Sequence, residues 1–95
     1  MTIESERKRI DKIDEKIFRL LRLRAKTAIK IAKKKRKLGK KIFDKNREAW
    51  IINKFKKKKT LFTTLDIEKI FRSIITASRN LQNRQNRHRR KGYKV

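Results

Sequence analysis

The sequence predicts an all-α fold of three helices, the first long, the second short and the third of medium length. The chain has 95 residues, no proline and only two glycines, so few positions can interrupt a helix. Apolar residues recur at spacings of three and four, which is the period of an amphipathic helix, and no segment shows the alternation of a strand. We therefore expect one helical domain over residues 1–85 and a flexible basic tail over residues 86–95.

The first predicted helix spans residues 4–38 and is too long for a compact chain of this size. Its length of about 50 Å far exceeds the radius of gyration of about 12 Å expected for a compact monomer. The 57 residues that follow it cannot cover its apolar stripe alone. We therefore predict an intertwined homodimeric helical bundle in which a partner chain covers the rest. The stripe consists of Ile10, Ile13, Ile17, Leu20, Ala28 and Ile31.

Turn and cap residues separate the other two helices. Gly39 is expected to end the first helix in the position after its C-cap, and Asp44 to cap the second helix, residues 45–58. The third helix is predicted over residues 65–85. Its apolar side carries Ile67, Ile70, Phe71, Ile74, Ile75 and Leu81.

Polar residues interrupt these apolar stripes. Arg24 and Lys35 are eleven residues apart, so they share the buried face of the first helix to within about 20°. Ser78 and Gln82 interrupt the third helix in the same way, following Phe71 at seven and eleven residues. Each residue alone has an ordinary explanation, such as a cation that reaches solvent from the edge of the seam. Together they predict a buried site for an anionic ligand, because a buried cation needs a negative partner.

The charge of the chain is compatible with several anionic partners. The net charge is +24, from 33 Lys and Arg against nine Asp and Glu. Such a charge attracts nucleic acid, a membrane surface or a small anionic metabolite. No run of about 18 apolar residues is present, so we expect no membrane span. The lack of cysteine fits a reducing cytoplasm, and nothing in the sequence calls for a metal or a cofactor.

Three segments carry a resemblance to a known family. Residues 7–35 read RKRIDKIDEKIFRLLRLRAKTAIKIAKKK, residues 42–51 read IFDKNREAWI, and residues 70–82 read IFRSIITASRNLQ. In this order and spacing they resemble the three helices of the all-helical chorismate mutases. The resemblance covers about residues 6–83, and it implies rearrangement of chorismate to prephenate in phenylalanine and tyrosine biosynthesis.

The resemblance implies how the substrate would be held. In that family each site borrows one arginine from the partner chain, and here that residue would be Arg7. Arg7 and Arg24 would bind the substrate carboxylates, and Arg47 and Ser78 would complete the polar lining.

It also implies which residues act on the breaking bond. Lys35 and Gln82 would donate hydrogen bonds to the ether oxygen of chorismate. Glu48, with the backbone at Asp44, would bind the ring hydroxyl. No cofactor is implied.

Three other interpretations remain open from the sequence. The charge and the arginine-rich tail suit a nucleic-acid-binding helical protein, and non-specific binding of nucleic acid is expected in any case. A lyase that releases pyruvate from isochorismate would use the same cationic site. A structural helical dimer with an inactive site is the third, which the complete set of polar residues disfavours. His88, in the tail, is assigned no chemical role.

Overall fold

The computed structural model describes residues 2–90, and in that range it contains three helices and no strand. Helix α1 spans Ile3–Lys37, α2 spans Lys45–Lys56 and α3 spans Thr64–Arg90. The predicted all-α class and the number and order of the helices are confirmed.

Helix α1 begins and ends with motifs that the sequence encodes locally. At its start, the Thr2 side chain accepts a hydrogen bond from the Ser5 N–H, and the Ser5 hydroxyl accepts one from the Thr2 N–H, both at 3.0 Å. At its end, Gly39 has a φ of +70°. The Lys40 N–H donates to the Lys35 carbonyl at 2.8 Å, and the Gly39 N–H donates to the Arg36 carbonyl at 3.1 Å. This is the glycine-ended Schellman motif, as predicted for Gly39.

Helices α2 and α3 also begin at capping side chains. Asp44 accepts a hydrogen bond from the Arg47 N–H at 3.0 Å, which confirms it as the N-cap of α2. Thr63 accepts one from the Asp66 N–H at 3.1 Å at the start of α3. Helix α2 ends at Lys56, two residues before the predicted end at residue 58.

The third helix is longer than predicted. It continues to Arg90 rather than ending at Gln85, because the next residue that favours a helix end is Gly92. Residues 86–90, assigned to the tail in the sequence analysis, are therefore helical in backbone. The rest of that tail, residues 91–95, lies outside the described residues.

Helix α3 packs against both α1 and α2 and holds the chain together. Phe55 of α2 and Phe71 of α3 stack with ring centroids 4.1 Å apart and planes 4° apart. The core is small, because only four side chains are buried within the described residues. These are Ala28, Ala32, Ile52 and Ile75.

The N-terminal half of α1 extends away from this core. Every residue from Ile3 to Leu23 is exposed, and Ile10, Ile13, Ile17 and Leu20 of the apolar stripe remain 49–65% exposed. The chain measures 56 × 33 × 15 Å with a radius of gyration of 17.1 Å, well above the compact value of about 12 Å. A single chain thus leaves the N-terminal part of the stripe uncovered, as the length of α1 predicted, and the homodimer itself stays a prediction.

No helix in residues 2–90 is both long enough and apolar enough to cross a membrane.

Candidate active site

A cavity of about 250 Å³ lies between the C-terminal half of α1, the start of α2 and the second half of α3. Seven of the eight residues expected at the site line it, which are Arg24, Lys35, Asp44, Arg47, Glu48, Ser78 and Gln82. The eighth, Arg7, is on the exposed half of α1, roughly 25 Å along the helix from Arg24. The fold therefore brings together the residues that the resemblance assigned to one chain and leaves apart the one assigned to the partner.

Arg24 and Ser78 join α1 to α3 across this cavity. The Arg24 guanidinium donates through Nη1 to the Ser78 hydroxyl. Partial burial of Arg24, and secondly the nearby positive charge of Arg47, lower the pKa of Arg24. Both causes disfavour the positive charge, so an anion placed between the two guanidinium groups would stabilise them.

Lys35 and Gln82 are each held by one backbone carbonyl. Lys35 Nζ donates to the Ile42 carbonyl at 3.0 Å, and Gln82 Nε2 donates to the Ala28 carbonyl at 2.8 Å. An ammonium group has three donors and a carboxamide has two. Each side chain is therefore positioned by the protein while it keeps a donor for a ligand.

Glu48 has a partner that the sequence analysis missed. Arg79 of α3 donates to both of its carboxylate oxygens, from Nε at 3.0 Å and from Nη2 at 3.3 Å. The Arg79 guanidinium also lies over the Phe43 ring, 4.9 Å from its centroid. Arg79 follows Ile75 by four residues, about 40° around the helix, so its place at the border of the buried stripe was a signal available in the sequence.

The start of α2 supplies the remaining polar wall. Asp44 lies at the start of this wall, where its side chain accepts from the Arg47 N–H and its carbonyl accepts from the Glu48 N–H at 3.0 Å. The guanidinium of Arg47 stacks on Trp50, 4.7 Å from the ring centroid, and this contact orients an otherwise exposed side chain.

The described residues contain no group of three or more His, Cys, Asp or Glu side chains arranged to hold a metal ion. The side chain of His88 lies outside the described part of the chain.

The three helices therefore bring cations and one amide donor together inside a helical seam, which places the chain among small all-helical domains with a cationic cavity. The family model of chorismate mutase type II matches residues 6–83, and the chain belongs to this family. No curated protein sequence matches the chain significantly. The resemblance that the three segments suggested is confirmed, and the family is one of isomerase-type enzymes.

Proposed function

We propose that the protein is a chorismate mutase, which rearranges chorismate to prephenate in phenylalanine and tyrosine biosynthesis in the cytoplasm. One observation carries the proposal. The seven residues that the family resemblance assigns to the chain's own site line a single cavity, although they come from three helices and are spread from residue 24 to residue 82.

The cations suit a substrate with two carboxylates. The rearrangement has one substrate and needs no nucleophile, so the task of the protein is to hold an extended dianion in a folded reactive shape. Arg24, already half-buried beside Arg47, would bind one carboxylate. The partner subunit's Arg7 would bind the other.

Lys35 and Gln82 suit the change in charge during the reaction. As the C–O bond breaks, negative charge develops on the ether oxygen. Donors that are fixed before the reaction stabilise such charge without reorganising. The Ile42 and Ala28 carbonyls hold these two side chains in place, and the remaining N–H groups would donate to the oxygen.

Glu48 suits the ring hydroxyl of the substrate even while it is bound to Arg79. Two carboxylate oxygens offer about four acceptor positions, and Arg79 occupies one on each oxygen. The hydroxyl would donate to one of the others. Isochorismate also carries a ring hydroxyl, so identification of the products distinguishes the mutase from a lyase that releases pyruvate from isochorismate in the same cavity.

The exposed stripe of α1 supports a homodimer as the active form. Arg7 lies on the same uncovered half of α1 as Ile10 and Ile13. If that half packs on a second chain, Arg7 is carried across to the other chain, and each cavity gains the residue that its own chain holds far away.

The test is turnover of chorismate by the purified protein, followed as loss of chorismate absorbance with identification of the products. Arg24→Ala removes a cavity cation, and Arg22→Ala is the matched control because Arg22 is exposed. We expect prephenate from the wild type and from Arg22→Ala, and none from Arg24→Ala. Isochorismate conversion to pyruvate and salicylate without any prephenate would identify the lyase instead. A folded dimer that turns over neither compound would favour the nucleic-acid-binding interpretation.

A further inference from the structure

A second cleft, of about 940 Å³, lies beside the active-site cavity. It opens between the connection from α1 to α2, residues 38–44, and the last turns of α3. Five cations line it, and none of its described lining residues is acidic. These cations are Arg36, Lys40, Lys41, Arg84 and Arg87.

The Arg36 guanidinium is an unsatisfied donor in this wall. Its Nη1 atom is buried and has no hydrogen-bond partner among the described residues. Buried polar groups in proteins are nearly always paired, so an unpaired one needs an explanation. An anion lying in the cleft against the Arg36 side chain, which lines it, would offset the positive charge of this partly buried guanidinium.

The rest of the wall is suited to the organic part of a ligand. Asn80, Asn83 and Asn86 follow one another at spacings of three on α3 and line the cleft together with Ile42 and Phe43. Amide groups both donate and accept hydrogen bonds, and the Phe43 ring is 53% exposed. A cleft of this volume is within the range of about 300–1,000 Å³ that holds organic ligands.

This cleft is separate from the proposed catalytic cavity. Ile42 is the one lining residue that the two share. Lys35 lines the catalytic cavity and Arg36 lines the second cleft, because consecutive helical residues point about 100° apart. A ligand in the second cleft therefore has its own set of contacts.

We propose that the second cleft binds a ligand that carries linked phosphate groups. Five cations without a carboxylate match a multiply charged anion better than a single carboxylate, and guanidinium groups bind phosphate oxygens in pairs. The phosphates lie against Arg36, Lys40 and Arg84, and an organic group, where the ligand has one, lies against Phe43. The proposal does not depend on the catalytic function.

The experiment is a calorimetric titration of the full chain with inorganic tripolyphosphate and, separately, with adenosine triphosphate. An ionic strength of about 0.15 M screens attraction beyond roughly 8 Å, so binding that survives reports the cleft. The test variant is Lys40→Gln with Arg84→Gln. The control variant is Arg22→Gln with Lys59→Gln, which removes the same two charges from exposed positions outside the cleft.

We expect saturable binding that the cleft variant weakens by about 100-fold, since each lost charge-assisted hydrogen bond is worth about tenfold or more. The control variant should stay within about threefold of the wild type under this screening. Circular dichroism of both variants establishes that they fold alike. Tighter binding of adenosine triphosphate would identify a nucleotide, and equal or tighter binding of tripolyphosphate a free phosphate chain.

Two results would overturn the proposal. Equal weakening in the two variants would mean that the overall charge, rather than the cleft, attracts phosphate. Absence of binding by both small phosphates, with binding of a short single-stranded oligothymidylate that depends on Lys40 and Arg84, would identify the cleft as part of a nucleic-acid surface instead.

Discussion

At the scale of single residues, the sequence predicted where the cations lie but not which hydrogen bonds and ion pairs the polar side chains make. The spacing of Arg24 and Lys35 placed both in the apolar seam, and the structure has both half-buried there. The bond from Lys35 to the Ile42 carbonyl depends on the path of the α1–α2 connection. The pairing of Glu48 with Arg79 depends on how α2 packs on α3. Helical periodicity contains neither kind of information.

Replacing Lys35 by alanine is expected to lower kcat by about 100- to 1,000-fold, the usual loss for one donor to a developing negative charge. The reason is that Lys35 is the charged donor proposed for the ether oxygen. Initial rates at saturating chorismate measure the loss. Lys34→Ala is the matched control, because Lys34 is the preceding residue and its side chain is exposed. Circular dichroism and the molecular mass in solution should be unchanged, and an active, folded Lys35→Ala protein would refute the site assignment.

Replacing Arg79 by methionine is expected to lower the free energy of unfolding by about 1–3 kcal/mol. The side chain of Glu48 is only 14% exposed, so without Arg79 its charge lies partly buried and unpaired. Urea unfolding measures the effect. The double variant with Glu48→Gln should recover part of the loss, because the unpaired charge is then gone. If the double variant loses the sum of the two single changes, Glu48 and Arg79 do not stabilise each other.

At the scale of helices, the ends were predictable where a residue with a special conformation marks them. Gly39 and Asp44 fixed the end of α1 and the start of α2 from the sequence, and the structure shows the expected hydrogen bonds at both. The C-terminal end of α3 was misplaced because polar residues alone do not stop a helix. Polarity indicated a tail from residue 86, whereas the helix continues to Arg90.

Replacing Gly39 by alanine is expected to lower the free energy of unfolding by about 1–2 kcal/mol, because a side chain disfavours the left-handed region. The φ of Gly39 is +70°, and an added Cβ would meet no atom within 4 Å. The loss is therefore conformational rather than steric. Thermal unfolding of Gly39→Ala and Gly39→Asn measures it, and asparagine should lose less because it tolerates this region better. Equal stability of all three proteins would show that the connection adopts another conformation.

At the scale of the whole molecule, the length of α1 is the reason to propose a dimer. Only four side chains are buried among the described residues, and the N-terminal half of α1, Ile3 to Leu23, contributes none of them. The length of the first predicted helix alone indicated that one chain is too small to cover it. The position of the partner chain could not be predicted in the same way, because it depends on contacts between two surfaces rather than on periodicity.

Mixing two inactive variants tests whether the site is shared. Arg7→Ala and Arg24→Ala should each be inactive as homodimers. In a mixed dimer, one cavity keeps its own Arg24 and receives an intact Arg7 from the partner. After joint unfolding and refolding in equal amounts, about a quarter of the sites should be intact, since half of the dimers are mixed and each has one complete site. Initial rates on chorismate measure the recovery, and no recovery would place Arg7 and Arg24 in the same chain's site or outside it.

The uncovered half of α1 also has a consequence for the kinetics of folding. Residues 3–23 find no burial within their own chain, so in the proposed dimer they gain it only after two chains meet. The last step of folding is then second-order, and its rate rises with protein concentration while helix formation does not. Dilution would reverse that step, so specific activity should fall at low protein concentration and return when the protein is concentrated again.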